Sequence, residues 1–554
     1  MRRSALCFAI CVAVCAGIVT VPRTVAAPLP TPWLEHPESV WAAPVAPAEA
    51  EALRRFYALG PRGWRWFDAQ GRARPVLAEA LSVLAAAEDD GLHPADYQAH
   101  QLARAVGAAL DAAPNAEAAD VSALDVRLSV AMLRLLRDLH LGRVDPRRDG
   151  WKRRPATVVP DFAAVLHHAL EAGRLASALQ ALRPAWPAYE ALRATLPALR
   201  AQAARETRVA LPVFRPGLRP GQSHPQARQV FERLRFLGEL LGDAPASGDP
   251  DMYDPAWEPA VRRFQARHGL NDDGVIGPST VAALNVPLWQ RVRQVELSLE
   301  RLRWMPFVPG RPLIVVNVPM FRLWAYADAT EAPVLESRVI VGRSGKDPTP
   351  SMMEELRYLV FRPYWNVPPS ILREEELPRI EADPGYLQRH DKEVVAAASD
   401  HSPVVPFGAE ALAGLRAGSL RLRQKPGPAN ALGAVKFMMP NDEAIYLHDT
   451  PSRGLFLRER RDFSHGCVRV QEPAALATWL LRDQPPWNAQ RVAAAMRDDA
   501  AASQYVRLES PVSVALVYLT AWAEAAGAPV RFADDVYRRD APLARALQPR
   551  RAGR

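Results

Sequence analysis

The chain has 554 residues, 49% of them hydrophobic, and a formal net charge of +8 at pH 7. This length and composition indicate several folded domains with substantial cores and exclude a largely disordered protein. The positive charge is spread along the chain and includes a basic end, "RRDAPLARALQPRRAGR", which fits loose affinity for anionic polymers. No RNA or DNA motif accompanies it, and we predict no nucleic-acid partner.

The N-terminus has the pattern of an export signal. Two arginines precede an uncharged apolar run from Ala5 to Val21, and small residues follow before Pro28. Residues 1–27 are therefore predicted to direct export. The apolar run, about 17 residues long, lies at the lower limit for spanning a bilayer, so an uncleaved membrane anchor is the alternative.

The cysteines are concentrated near the N-terminus, apart from one. Three of the four, Cys7, Cys11 and Cys15, lie in the export segment. If that segment is removed, Cys467 is the single cysteine left and has no partner for an internal disulfide. A cysteine of this kind is usually a small buried core residue. The alternative is a free thiol that reacts.

The first half of the chain is predicted to be helical. Residues 28–48 are rich in Pro and Ala and are interpreted as a tether. Residues 49–210 carry Ala and Leu at helical spacing, which predicts a helical scaffold domain. Residues 225–286 predict a compact unit of three short helices, and so few helices enclose only a small core.

The second half is predicted to be mainly β. From residue 311, β-branched and aromatic residues alternate, as in "RPLIVVNVPMFRLWAYAD", and a domain is predicted over residues 311–482. A stretch at about 370–430 interrupts the strands and is a candidate lid. Residues 483–554 are interpreted as a C-terminal segment with a basic tail. The predicted fold class is multidomain α+β.

The segment "FSHGCVRV" around Cys467 contains the groups that a thiol nucleophile needs. A thiol attacks as thiolate and needs a base or a cation nearby. In an extended strand, His465, Cys467 and Arg469 would share one face. Arg469 would then lower the thiol pKa or hold a substrate carboxylate, and backbone N–H groups of the turn would serve an oxyanion hole. Proximity in sequence favours His465 as the base, with His448 as the more distant candidate.

A family resemblance extends this hypothesis. His448 is followed, after fifteen residues, by the run "SHGCVR" at 464–469, which resembles the YkuD-type L,D-transpeptidase signature. "VGRSGKDPTPSM" is similar to the glycine and Thr-Pro element of that family, and "YWNVPPSILREEELPRI" resembles the large YcbB-type murein transpeptidases, whose catalytic sheet bears a capping insertion. "AVRRFQARHGLNDDGVIGPSTVAALNVP" is similar to a three-helix peptidoglycan-binding module, and "LSVLAAAEDDGLHPADY" to the YcbB-type helical scaffold.

The resemblance assigns roles to individual residues. It implies that Cys467 is the nucleophile and that His448, rather than His465, is the general base. It also implies that the backbone carbonyl of Asp449 orients the imidazole, and it leaves the role of the Asp449 carboxylate open. No metal and no cofactor are implied, because thiolate and imidazole supply the nucleophile and the proton carrier. The supporting residues on the oxyanion and acyl-donor side are Ser464, His465, Gly466 and Arg469.

The implied reaction is acyl transfer between peptidoglycan stem peptides. A thioester would form on the third residue of a tetrapeptide with loss of D-Ala, and an amine of a second stem would complete a 3→3 cross-link. The implied partners are stem peptides and glycan, and the implied location is the periplasm, with an inner-membrane anchor as the alternative. Other functions left open are an L,D-carboxypeptidase, a catalytically idle cell-wall-binding protein, and a papain-like or amidase-type hydrolase.

Five further positions have weaker claims to function. Trp365 and Tyr446 either line the cleft or pack in the core, and strand aromatics are more often core. His268 is expected to cap or pack a helix. The adjacent pair His167 and His168 is expected to have no functional role.

Overall fold

The computed structural model describes residues 31–41, 44–60, 63–111, 118–153, 158–207, 210–240, 249, 251–306, 309–383, 385–497 and 503–549. The predicted export segment, residues 1–27, lies outside these ranges. Within them, no helix has both the length and the apolar character that crossing a bilayer requires.

The N-terminal part is a helical domain with one short strand. Its core is built from apolar side chains at helical spacing, such as Leu128, Leu135 and Leu139, all of them buried. The described elements are α1 (Thr31–Glu35), α2 (Pro47–Ala58), α3 (Val76–Ala85), α4 (Ala99–Asp111), α5 (Ala118–Leu141), β1 (Trp151–Arg153), α6 (Phe162–Ala172), α7 (Leu175–Leu182) and α8 (Pro187–Ala203).

Much of the segment predicted as a tether is folded onto this helical domain. Helix α1 lies in it, and Trp41 is only 2% exposed. The Arg134 guanidinium lies over the Trp41 ring, 5.2 Å from its centroid, and Trp33 packs against the same core. The tether interpretation is therefore wrong for residues 31–41, because their indole rings cover apolar surface of the scaffold.

A small helical module follows. It consists of α9 (Ala227–Phe236), α10 (Glu258–Arg267) and α11 (Pro278–Leu284). Its core also includes Leu211, Phe214 and Leu218 from the preceding segment, so the folded unit begins before residue 225. The next helix, α12 (Leu288–Arg303), is buried along most of its length.

The C-terminal part carries most of the strands. Its strands are β2 (Leu313–Asn317), β3 (Arg322–Tyr326), β4 (Leu335–Gly342), β5 (Ser351–Phe361), β6 (Trp365–Asn366), β7 (Lys392–Val395), β8 (Val404–Val405), β9 (Arg421–Gln424), β10 (Val435–Met438), β11 (Leu447–His448), β12 (Asp462–Ser464), β13 (Val468–Val470), β14 (Gln504–Val517), β15 (Ala521–Trp522) and β16 (Arg531–Phe532). Its α-helices are α13 (Pro369–Ile371), α14 (Leu377–Ala382), α15 (Tyr386–Arg389), α16 (Ala409–Ala417), α17 (Pro473–Leu480), α18 (Ala489–Met496) and α19 (Asp540–Ala546).

The main sheet closes on itself. Around the barrel the order is β5-β10-β11-β13-β4-β3-β2-β14, and β14 pairs again with β5. Two short strands add to this sheet: β1 pairs with β5, and β12 pairs with β4. The pairs β11–β13 and β2–β14 are parallel, whereas the other neighbours in this order are antiparallel. Alternate side chains, such as Ile314 and Val316 of β2, fill the interior. Their neighbours Leu313 and Val315 pack outward in the core that includes α12.

The barrel extends beyond the predicted domain boundary at residue 482. Strand β14 lies between β2 and β5 and closes the sheet, so the domain reaches at least to Val517. The pairings with β5 and β2 join segments about 150 and about 200 residues apart, and no local pattern reveals such contacts. Part of the predicted basic tail is also folded, because α19 contacts α12; residues 550–554 of that tail lie outside the described residues.

The stretch at about 370–430 that interrupts the strand series belongs to a small subdomain. Its strands form a separate sheet in the order β6-β9-β7-β8, and residues including Ile371, Leu387 and Leu422 give it an apolar core of its own. We call it the capping insertion. Its sheet runs from Trp365 to Gln424 and leaves the barrel between β5 and β10.

A buried ion triad joins three parts of the chain. The Arg301 guanidinium of α12 donates to Asp149 of the helical domain (2.8 and 3.1 Å) and to Asp540 of α19 (2.5 Å). Arg301 and Asp149 have 2% and 3% side-chain exposure. A buried ion is costly unless it is fully paired, so the triad fixes the relative placement of these elements.

The variant Asp149→Ala is expected to lower the free energy of unfolding by about 3 kcal/mol, the lower end of the cost of breaking a buried pair, because Asp540 remains beside Arg301. Urea unfolding followed by far-UV circular dichroism measures the change. The control is Glu51→Ala, which removes an exposed pair with Arg54 and should cost less than about 1 kcal/mol. Equal midpoints for the two variants would contradict the importance of the triad.

Candidate active site

The turn that carries Cys467 is shaped by its own backbone. It joins β12 to β13, and Gly466 has φ +109°, a conformation that side chains other than that of glycine rarely allow. The Ser464 hydroxyl donates to the carbonyl oxygen of Cys467 (2.5 Å) and accepts from the Gly466 N–H (3.2 Å). Ser464 therefore closes the turn from within.

A second loop supports this turn from below. The Thr349 hydroxyl donates to the Gly466 carbonyl (2.7 Å) and accepts from the Gly342 N–H (2.9 Å). A Cβ atom on Gly342 would lie 2.7 Å from Thr349 N and 3.0 Å from Gly466 Cα, closer than atoms pack. The glycine and the Thr-Pro pair of "VGRSGKDPTPSM" thus let two backbone segments touch beneath Cys467.

The parallel pairing of β11 with β13 brings the predicted nucleophile and base together. His448 is the register partner of Arg469. Because side chains alternate along a strand, Tyr446 and His448 share one face with Cys467 and Arg469 of the neighbouring strand. The residues between them point into the barrel core. The site therefore lies on the outer face of the barrel.

His448 is held as a neutral base. Its Nδ1–H donates to the carbonyl oxygen of Asp449 (2.5 Å), and since a carbonyl only accepts, Nε2 keeps the lone pair. The side chain is 4% exposed. Burial, reinforced by the positive charges of Arg469 and Lys436, lowers the pKa of His448 to about 3.

The Asp449 carboxylate has a different role from its carbonyl. It accepts from the Ala434 N–H (2.9 Å) and pairs with Arg453 (3.2 Å). It therefore stabilises the chain leading into β10 and the loop after β11. The contact with the imidazole that is recorded for Asp449 is made by its backbone oxygen, as the family resemblance implied.

Cys467 is a partly exposed thiol in its resting, protonated form. Its Sγ donates to the carbonyl oxygen of Ala444 (3.7 Å), and it interacts with the hydroxyl of Tyr446. Burial raises the pKa of the thiol, and the positive charges of Lys436 and Arg469 oppose that shift. The thiol has to leave the Ala444 carbonyl before its proton can pass to a base.

Lys436 is a site residue that the motif did not include. It lies on β10 as the register partner of His448, and its Nζ is 3.8 Å from the centroid of the Tyr446 ring. Burial lowers its pKa, and the charge of Cys467 opposes that change. The one available signal was a lone lysine in the apolar strand "AVKFMMP".

Arg469 presents a cation to the cleft. Among the residues that the structure describes, it forms no ion pair, and its buried Nε has no hydrogen-bond partner. Burial lowers its pKa, and the charge of Cys467 opposes that change. The guanidinium is thus available to an anionic group of a substrate.

His465 does not share the face of Cys467 in the way that an extended strand predicts. The left-handed conformation of Gly466 breaks the alternation between them. His465 Nε2 instead lies 2.6 Å from Glu375 Oε1 of the capping insertion. The histidine nearer in sequence to the thiol therefore contacts the capping insertion, and His448 is the histidine on the face that Cys467 shares.

Comparison with protein-family models identifies the domains. The barrel matches the YkuD "L,D-transpeptidase catalytic domain" over residues 311–503. The chain contains a YkuD-family L,D-transpeptidase domain. A "Scaffold domain" matches residues 51–196, and a "Putative peptidoglycan binding domain" matches residues 223–284. The chain thus combines a YkuD catalytic domain with a scaffold domain and a peptidoglycan-binding domain, and the predicted domain families and α+β fold class are confirmed.

A curated relative supports the same family. A Haemophilus influenzae (strain ATCC 51907 / DSM 11121 / KW20 / Rd) protein named "Putative L,D-transpeptidase" is 37% identical over 233 residues, which are 42% of this chain and 45% of that protein. The match thus spans about half of the relative's length. Two solved L,D-transpeptidases also match. That of Xylanimonas cellulosilytica DSM 15894 is 15% identical, covers 56% of this chain and 100% of its own, and has a TM-score of 0.18. That of Stackebrandtia nassauensis is 12% identical, with coverage of 56% and 97% and a TM-score of 0.22.

The structure places the weaker sequence candidates in different parts of the molecule. Tyr446 lines the site, as described above. Trp365 packs against the core of the capping insertion, with Lys392 over its ring. His268 packs a helix end, where its Nδ1 lies 2.7 Å from the Phe264 carbonyl. His167 and His168 lie side by side on α6, outside the transpeptidase domain.

Replacing Lys436 by Met is expected to raise the thiol pKa of Cys467 further, because it removes a positive charge that opposes the effect of burial. The ammonium favours the thiolate, so its removal shifts ionisation to higher pH and slows alkylation below the pKa. Iodoacetamide alkylation followed from pH 6 to 11 measures this shift.

The Lys436 alkylation measurement has two control variants. Cys467→Ala corrects for the three cysteines near the N-terminus, and Lys425→Met removes an exposed lysine. Superimposable alkylation profiles for Lys436→Met and the wild-type chain would show that Lys436 does not act on the thiol.

Proposed function

We propose that the chain is a peptidoglycan L,D-transpeptidase that forms 3→3 cross-links through a thioester on Cys467. The observation that carries this proposal is the β11–β13 register, which aligns His448, Cys467 and Arg469 on one face of a YkuD-family domain. The peptidoglycan-binding module supports the same polymer as the substrate.

Acylation begins when the thiol turns from Ala444 towards Nε2 of His448, which takes the thiol proton as the carbon–sulfur bond forms. The sulfur attacks the carbonyl carbon of the third residue of a tetrapeptide stem, and the carbonyl oxygen becomes an oxyanion. The C–N bond to D-Ala then breaks, and His448 returns the proton to the leaving amine. The product is a thioester on Cys467 and free D-Ala.

The oxyanion has identifiable donors. Within the described residues the Cys467 N–H makes no hydrogen bond, whereas the Gly466 N–H is already bound to Ser464. Gly466 therefore acts by shaping the turn, and the Tyr446 hydroxyl beside the sulfur is the second donor. Removal of one such donor typically costs about 2.7–4 kcal/mol of transition-state stabilisation.

Two cations complete the site. Lys436 stabilises the forming thiolate, and Arg469 holds a carboxylate of the donor stem through its unoccupied guanidinium. In the second half of the reaction an amine of another stem attacks the thioester. His448 removes the proton from that amine, and the Cys467 sulfur leaves.

The proposed site of action follows from the substrate and the N-terminal sequence. Residues 1–27 would export the chain to the periplasm, where peptidoglycan lies, or would hold it at the inner membrane. The active domain would face the wall in either case.

Incubation of the chain with disaccharide tetrapeptide tests the reaction. Mass spectrometry should detect 3→3 linked dimers formed with loss of D-Ala, and Cys467→Ala should form none, because no thioester forms. Monomeric tripeptide without dimers would assign an L,D-carboxypeptidase. Equal product from the wild type and the Cys467→Ala variant would overturn the nucleophile.

Replacing the two histidines of the motif is expected to slow D-Ala release to different extents. His448→Gln should slow D-Ala release by about 10²–10⁴-fold, because it removes the group that carries the proton. His465→Gln should retain proton transfer and cost less than about tenfold, because it removes a contact with Glu375.

The control for the histidine pair is His168→Gln, which changes an exposed histidine of α6 and should leave the rate unchanged. Stopped assays of D-Ala release give all three rates. A larger loss for His465→Gln than for His448→Gln would reverse the assignment of the base.

A further inference from the structure

A basic crevice lies between the peptidoglycan-binding module and the barrel. Its cavity is about 40 Å³, more than the roughly 10–15 Å³ of such space that one water needs, so it has room for the head of a small oxyanion. Residues 266–271 of the module form one wall. The arginines that line the crevice are Arg267, Arg322, Arg338, Arg461 and Arg531.

The charges of the crevice are not balanced by the protein. Three of the five arginines pair with three carboxylates: Arg322 and Arg531 share Glu336 (3.0 and 3.1 Å), Arg531 also pairs with Glu524 (3.0 Å), and Arg267 pairs with Glu239 (3.0 Å). Arg338 and Arg461 form no ion pair with any residue that the structure describes; their recorded partners are backbone carbonyls. The crevice thus keeps a net positive charge.

The arginines also repel one another. Arg322 and Arg338 are direct register partners on β3 and β4, and like charges in that position are destabilising. Arg461 lies behind them and is 5% exposed. Burial and the two neighbouring guanidinium groups lower the pKa of Arg461 to about 9. A bound anion would relieve this repulsion.

The walls of the crevice are fixed by contacts between the module and the barrel. The Glu459 carboxylate accepts from the Asn271 N–H (3.2 Å) and from the Ser279 hydroxyl (3.0 Å) of the module. The His268 ring stacks on Phe532, with centroids 5.7 Å apart. The crevice is therefore a formed site shared by both units.

We propose that this crevice binds a carboxylate of a peptidoglycan stem peptide, so that the module and the barrel hold the same strand. The choice of polymer rests on the proposed function. Guanidinium groups match carboxylates in a bidentate geometry, and stem peptides are the part of peptidoglycan that carries carboxylates. The anchored stem would lie outside the catalytic cleft.

The test compares Arg338→Gln with a matched control, Arg357→Gln, which removes an exposed arginine paired with Glu355 on β5. Full-length chains are sedimented with purified sacculi and with sacculi whose carboxylates have been amidated. Arg338→Gln should bind native sacculi about tenfold more weakly, the scale of one charge-assisted hydrogen bond. Amidation should remove the difference between Arg338→Gln and the wild type. Turnover of soluble disaccharide tetrapeptide should be unchanged and should show that the variant is folded.

Three results would overturn the crevice assignment. One is equal sacculus binding by the two variants, which would mean that binding depends on the total positive charge of the chain and not on the crevice. Another is an Arg338-dependent difference that survives amidation. The third is displacement by inorganic phosphate with no response to amidation, which would indicate a phosphate site. If Arg338-dependent binding is found while no cross-linked dimers form, the transferase proposal fails and the crevice assignment stands.

Discussion

The parallel pairing of β11 with β13 is the constraint on which the site depends. A slip of one residue would move His448 and its neighbours to the opposite face of the sheet. The register is held below by the approach of Gly342 to Gly466 and by the Thr349 hydroxyl that bonds both backbones. These groups do no chemistry, yet they determine which side chains meet on the outer face.

The electrostatics of the site follow from burial beside two cations. Burial disfavours both the thiolate and the imidazolium. Lys436 and Arg469 offset that cost for the thiolate and increase it for the imidazolium. The resting pair is therefore a neutral thiol and a neutral imidazole. In the proposed reaction the proton would move as the carbon–sulfur bond forms, since a separated thiolate–imidazolium pair lies uphill.

The sequence predicted the α+β fold class, and a motif with a fixed gap located Cys467 and His448, which the pairing of β11 with β13 brings to one face. It predicted His465 less well, since strand alternation fails wherever a left-handed glycine intervenes. Lys436 was missed because its relation to Cys467 exists only through the pairing of β10 with β11. Strand β14 was missed for a similar reason, because its partners lie far away in the chain.

Two accessory units, the peptidoglycan-binding module and the capping insertion, both contact the short segment of the transpeptidase domain that precedes Cys467. Glu459 binds the peptidoglycan-binding module, and Arg461 lines the crevice beside it. His465 binds the capping insertion, two residues before Cys467. Strand β12 carries this segment along the edge of β4, so contacts at either end act on the same backbone. The module and the capping insertion are thus both in contact with the backbone segment that leads to Cys467.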